Sequence, residues 1–153
     1  MATVELKFGA LPAHVRTARL VAAAVARRSG VDDALIDEVK LAVGEACARA
    51  LTLHQVHAPD QQVVVELCEG ADDFVVIVRD CGPAMTAAQI PAARTEDLSI
   101  LVESAVESGE ESSSGQVQLA LIAGLVDELT VDRDADRTAV RMRWTLERDG
   151  ATR

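Results

Sequence analysis

Aromatic side chains are nearly missing from this chain. They make up 2% of it, as Phe8, Phe74 and Trp144, with no tyrosine. The core must therefore be built from alanine, valine, leucine and isoleucine, and a stacking platform for single-stranded nucleic acid is excluded. Basic residues are scarce beside the acids: 15 Lys and Arg face 25 Asp and Glu, a net charge of −10 and a pI near 4.7. Such a field repels nucleic acid and anionic membranes, so neither is an expected partner. Cysteine is limited to Cys47, Cys68 and Cys81. An odd count without Cys-x-x-Cys spacing gives neither a disulfide framework nor a zinc site, and a reducing cytoplasm is the expected setting. Long apolar runs are absent too. The stretch 20–26 is far short of a membrane span, and Glu5 and Lys7 interrupt any leader-like run near the start.

What is present suffices for one core. The chain has 153 residues and is 49% hydrophobic, which excludes wholesale disorder and fits a single domain over 1–146 with a frayed tail at 147–153. Val4, Leu6 and Phe8 alternate with Thr3, Glu5 and Lys7, a half-buried strand. Residues 13–28 read as a helix, with Val15, Ala18, Ala22, Val25 and Ala26 on one face and Gly30 closing it. Asp32 caps a second helix whose core stripe is Leu35, Val39, Ala42, Ala46, Ala50 and Leu53, ending around His54 before Pro59. Residues 62–69 and 74–80 form a hairpin. The run Val75, Val76, Ile77, Val78 predicts a central strand covered on both faces.

Residues 85–114 differ in character. They hold Arg94 against six acids, and Ser112, Ser113, Ser114 and Gly115 read as flexible. Two readings stand for this segment, a solvated acidic loop and a lid, with a short helix over 97–106 packed above the neighbouring site. A helix over 116–125 and a hairpin of 128–134 with 137–146 complete the order. Val140, Met142, Trp144 and Leu146 face inward on the last strand. The fold class is α+β: a two-layer sandwich whose mixed, mostly antiparallel sheet is covered on one face by helices.

Three stretches carry chemistry. The first runs over 41–51 on the second helix and includes Glu45 and Arg49. The second, after the central strand, is Asp80, Cys81, Gly82, Pro83 and Ala84. The third opens on Gln116, Val117 and Gln118. Their order and spacing resemble the GHKL (Bergerat-fold) ATPases, specifically the small anti-sigma-factor serine kinases, over nearly the whole chain. In that family the first motif pairs a Glu with an Asn four residues on, so that both share a helix face. The resemblance makes Glu45 a vestigial general base and puts Arg49 where a magnesium-ligating Asn belongs. A guanidinium has only donors and cannot ligate a cation. Arg49 is instead spaced to pair with Glu45. An exposed salt bridge and a degenerate cleft are the two readings.

The second motif in the family is Asp-x-Gly-x-Gly. The resemblance implies that Asp80 and Gly82 are a residual adenine site, with Ala84 replacing the second glycine. The other reading of Asp80 is a turn residue at a strand end. In the third motif Gln116 and Gln118 replace glycines whose amides hold phosphates at a helix start. Cys47 and Cys81 fall in the first two motifs, as thiol sensors or as small hydrophobes. His54 and His57 lack further ligands for a metal, so none is expected and a surface position at the helix end is the reading.

The resemblance implies an anti-sigma factor or partner-switching regulator on a degenerate kinase scaffold, a pseudokinase. Its partners would be a sigma factor, an anti-sigma antagonist, and a second copy of itself. Arg16 and Arg19 are candidate partner contacts, since the matching family helix lies near the partner surface; solvated helix charges are the other reading. No cofactor is expected. The alternative is an active ATP-dependent serine kinase, which would need ATP and magnesium.

Overall fold

The computed structural model describes residues 2–83, 111–134 and 136–146, with the side chains of 111–116 and 134 outside that description. The element order is β1 (Ala2–Phe8), α1 (Ala13–Ser29), α2 (Asp33–His57), β2 (Val63–Glu69), β3 (Asp73–Asp80), α3 (Glu111–Ala123), β4 (Glu128–Asp134) and β5 (Arg137–Thr145). The strands form one sheet in the order β1-β2-β3-β5-β4. All four pairings are antiparallel, so the expected mixed sheet is corrected: no parallel pair exists among the described strands.

Local chemistry sets the helix ends. Gly30 takes φ 98°, and the chain closes α1 with Val31 N–H on the Ala26 carbonyl at 3.0 Å. Asp32 Oδ1 accepts from Ala34 N–H at 3.0 Å and caps α2. That helix runs one turn past the expected end, to His57. Its limit is set by Pro59, whose ring disfavours helical backbone in the residue before it.

Helices α1 and α2 pack on each other and on the sheet, and α3 packs on α2. The buried layer holds Ala22, Ala26, Val39, Ala42, Val43, Ala46 and Ala50 against Val65, Leu67, Val76, Val78, Val140 and Met142. Small side chains on the helices let them approach the sheet closely, which is how a core almost without aromatics fills its volume. The largest residue, Trp144, sits 6.0 Å from Phe74 between ring centroids and donates Nε1–H to the Leu125 carbonyl at 3.0 Å.

Strand β3 is central, as expected, but the described helices cover only one of its faces. On the other, Val75 and Ile77 lie opposite Arg143 and Arg141, among ion pairs of Arg79 with Glu66 and Arg143 with Asp73, both at 2.8 Å. At the far end of α1, Arg28 grips Glu69 with two 2.8 Å bonds and holds that carboxyl below its ordinary range.

Candidate functional site

The three motifs converge where the middle of α2, the end of β3 and α3 meet. Positions 45 and 49 lie one helical turn apart on α2, so both face this junction. Arg49 is buried with 5% exposure, and Asp80 is wholly buried. Arg49 Nη1 donates to Asp80 Oδ2 at 2.9 Å. The exposed salt-bridge reading of Arg49 is therefore wrong. The structure gives this guanidinium a partner the sequence reading missed, 31 residues away on β3. Glu45 is half-buried, and its Oε2 accepts a long 3.4 Å contact from Gln118 Nε2. That contact joins the first and third motifs.

The loop after β3 is held tightly. Asp80 Oδ1 accepts from Gly82 N–H at 2.9 Å, a side-chain-closed turn of the kind Asp forms at strand ends. A Cβ on Gly82 would come within 3.0 Å of both Asp80 Oδ1 and Leu53 Cδ1. A side chain here would need Asp80 or Leu53 to give way by a few tenths of an ångström. Gly82→Ala is expected to lower stability by about 1–3 kcal/mol through overpacking; urea titration checks it, and a change within error would show that Leu53 yields.

The surface reading of His54 is corrected, because packing between distant elements makes it a buried structural group. It is fully buried, and Cys81 N–H donates to its Nε2 at 2.9 Å. Nδ1 therefore carries the proton and meets the Gln61 carbonyl at 3.0 Å. Both ring nitrogens are engaged by backbone. Arg133, on β4, donates Nη1–H to the Gly82 carbonyl at 2.8 Å and to Thr138 Oγ1 at 2.9 Å. Nothing in the local pattern around His54 or Arg133 marks these roles, because each is a contact between distant elements.

Helix α3 is described from Glu111. The expected loop over 85–114 is thus corrected at its end, since 111–114 are helical; Ser and Glu are well suited to a first helical turn. Gln116 and Gln118 lie inside the helix rather than at its start, where their backbone N–H groups serve i−4 carbonyls. Ala84, the expected helix over 97–106 and the remainder of that acidic segment lie outside the described residues, as does the side chain of Gln116.

Cys47 is buried among apolar groups, which pushes its thiol up to about 12. That favours the small-hydrophobe reading. Thiol labelling at neutral pH is expected to spare Cys47 in the folded protein and modify it only on unfolding. Its modification at the rate of the half-buried Cys68 and Cys81 would contradict this. Arg16 and Arg19 are exposed on α1. A Cβ on Gly44 would lie 2.8 Å from Arg19 Cδ, so the Arg19 stem rests against α2 at Gly44.

The family profile described as a histidine kinase-like ATPase domain matches residues 8–144. The chain belongs to the histidine kinase-like ATPase family. It is 28% identical over 141 residues to the serine-protein kinase RsbW of Bacillus subtilis (strain 168), covering 92% of this chain and 84% of that relative. Against RsbW of Bacillus pumilus (strain SAFR-032) it is 27% identical over 143 residues, covering 92% and 85%. In fold it resembles a chain from the crystal structure of the SiaB–SiaC complex of Pseudomonas aeruginosa, with TM-score 0.61 and 10% identity over 94% of this chain and 89% of that one.

For a histidine kinase-like ATPase, the donor set is at odds with Mg-ATP at three points. At the position that the resemblance gives to a magnesium ligand stands Arg49, a cation that offers no lone pair. Both oxygens of Asp80 already accept hydrogen bonds within the chain. The third motif offers helix-interior amides in place of a free helix start. Among the described residues, no helix is long and apolar enough to cross a membrane, and no group of His, Cys, Asp and Glu is arranged to hold a metal.

Proposed function

We propose that this chain is a partner-switching regulator, an anti-sigma factor that binds a sigma factor or its antagonist through protein contacts and transfers no phosphate. The observation carrying the reading is the buried Arg49–Asp80 ion pair at 2.9 Å, which stands where the resembled kinases need a magnesium ligand and an adenine acceptor. Relatives named serine-protein kinase and a structural neighbour solved as a two-protein complex support a role in protein–protein regulation. The reading places the protein in the cytoplasm, with no cofactor, and with the exposed Arg16 and Arg19 as candidate partner contacts.

A homodimer belongs to the same proposal. Strand β1 ends the described sheet, and an edge strand presents unpaired backbone groups to a second copy. Light scattering at tens of micromolar is expected to give twice the chain mass, and a monomer would remove this part.

The test is capture of partners on tagged protein from the source cells, followed by incubation with γ-labelled ATP. Retention of a sigma factor or antagonist without labelling of a partner serine is expected. Label on a partner serine would establish the alternative, an active serine kinase. Retention of Glu45, half-buried at the cleft, favours that alternative.

A further inference from the structure

The loop 80–82 spends its polar groups on the chain itself. Asp80 Oδ2 receives Arg49 Nη1–H, Cys81 N–H goes to His54 Nε2, and the Gly82 carbonyl receives Arg133 Nη1–H, at 2.9, 2.9 and 2.8 Å. The remaining carboxylate oxygen closes the turn on Gly82 N–H. The three outside groups come from the middle of α2, its last turn and β4. Two are themselves fixed: His54 by the Gln61 carbonyl, Arg133 by Thr138 Oγ1.

We infer that Arg49, His54 and Arg133 together substitute for a bound nucleotide at this loop, so that the loop is organised, and partner binding set, without one. This rests on the regulator reading above and adds its regulation: the site is constitutively filled. The chemistry favours the internal group. A purine amino group displacing Arg49 from Asp80 would exchange a bond between two opposite charges for one from a neutral donor, and would leave the buried guanidinium without this partner. His54 and Arg133 are positioning residues, acting through the backbone of 81 and 82.

Hydrogen exchange at the amides of 81 and 82, measured on the full chain, tests the inference. Both are expected to exchange slowly without nucleotide and at the same rate in millimolar Mg-ATP. Arg133→Met, at an exposed position, is expected to speed exchange of both by about tenfold, the equivalent of one charge-assisted bond. His54→Leu should do the same at 81. His54→Gln, whose amide offers both a donor and an acceptor, should restore protection, which mere filling of space would not do. Captured partner should be retained equally with Mg-ATP and after enzymatic removal of nucleotide.

Fast exchange at both amides in the unaltered protein, or protection that appears only with Mg-ATP, would overturn the inference. Partner retention that requires nucleotide would overturn it equally. Capture of no sigma factor or antagonist, with exchange as expected, would instead defeat the regulator reading and leave the self-held loop intact.

Discussion

Millimolar Mg-ATP is expected to leave the thermal unfolding of this protein almost unchanged. A micromolar site at that concentration would add about 4 kcal/mol of stability. Here two interactions of such a site are missing. Arg49 supplies no magnesium ligand, and an adenine amino group would have to share the Asp80 oxygens with Arg49 and Gly82. At about 1.5–3 kcal/mol each for contacts to charged groups, their loss weakens binding by roughly two to four orders of magnitude. The stabilisation then falls to about 1.4 kcal/mol or less. A midpoint rising by about 8 °C or more in Mg-ATP, the effect of an intact micromolar site, would contradict this.

Removing the guanidinium should have the largest effect on the fold. Arg49→Met leaves Asp80 as a wholly buried carboxylate without this counter-charge, and breaking one side of a buried pair costs about 3–5 kcal/mol. For a chain of this size that corresponds to a fall of about 6–20 °C in unfolding midpoint. The pair itself need not be net stabilising, because burying two charges carries a desolvation cost of its own. The double variant Arg49→Met with Asp80→Asn should therefore recover most of the loss, since Asn keeps an oxygen for the Gly82 N–H. Thermal or urea unfolding of the two single variants and the double one gives the coupling energy. Additive effects would mean that the pair is not the interaction that matters.

Where the sequence is periodic it read well. Alternation located β1, β4 and β5 almost to the residue, and the inward set Val140, Met142, Trp144 and Leu146 is buried throughout. Caps at Gly30 and Asp32 were legible because they are local. Sheet direction was less so: β1 with β2 and β3 with β5 are long-range pairings, and a strand pattern does not state its neighbours. The serine run before Gln116 suggested flexibility, yet the chain there is helical, because a first turn tolerates what an interior would not.

At the site, spacing placed Glu45 and Arg49 on one helix face and assigned Arg49 a partner within its own helix. Tertiary packing brought Asp80 to it instead. A signal for that pairing did exist, since the resemblance put a new cation and a retained carboxylate in one cleft. His54 and Arg133 gave no such signal, because their partners are backbone atoms.

The most direct measurement is calorimetric titration of ATP into the purified protein, with and without magnesium. The self-filled cleft predicts no heat beyond dilution until nucleotide reaches the submillimolar range or above, under either condition. Micromolar binding that requires magnesium would contradict it and revive the kinase. Micromolar binding independent of magnesium would contradict it too, by showing that Arg49 leaves Asp80 to hold a phosphate.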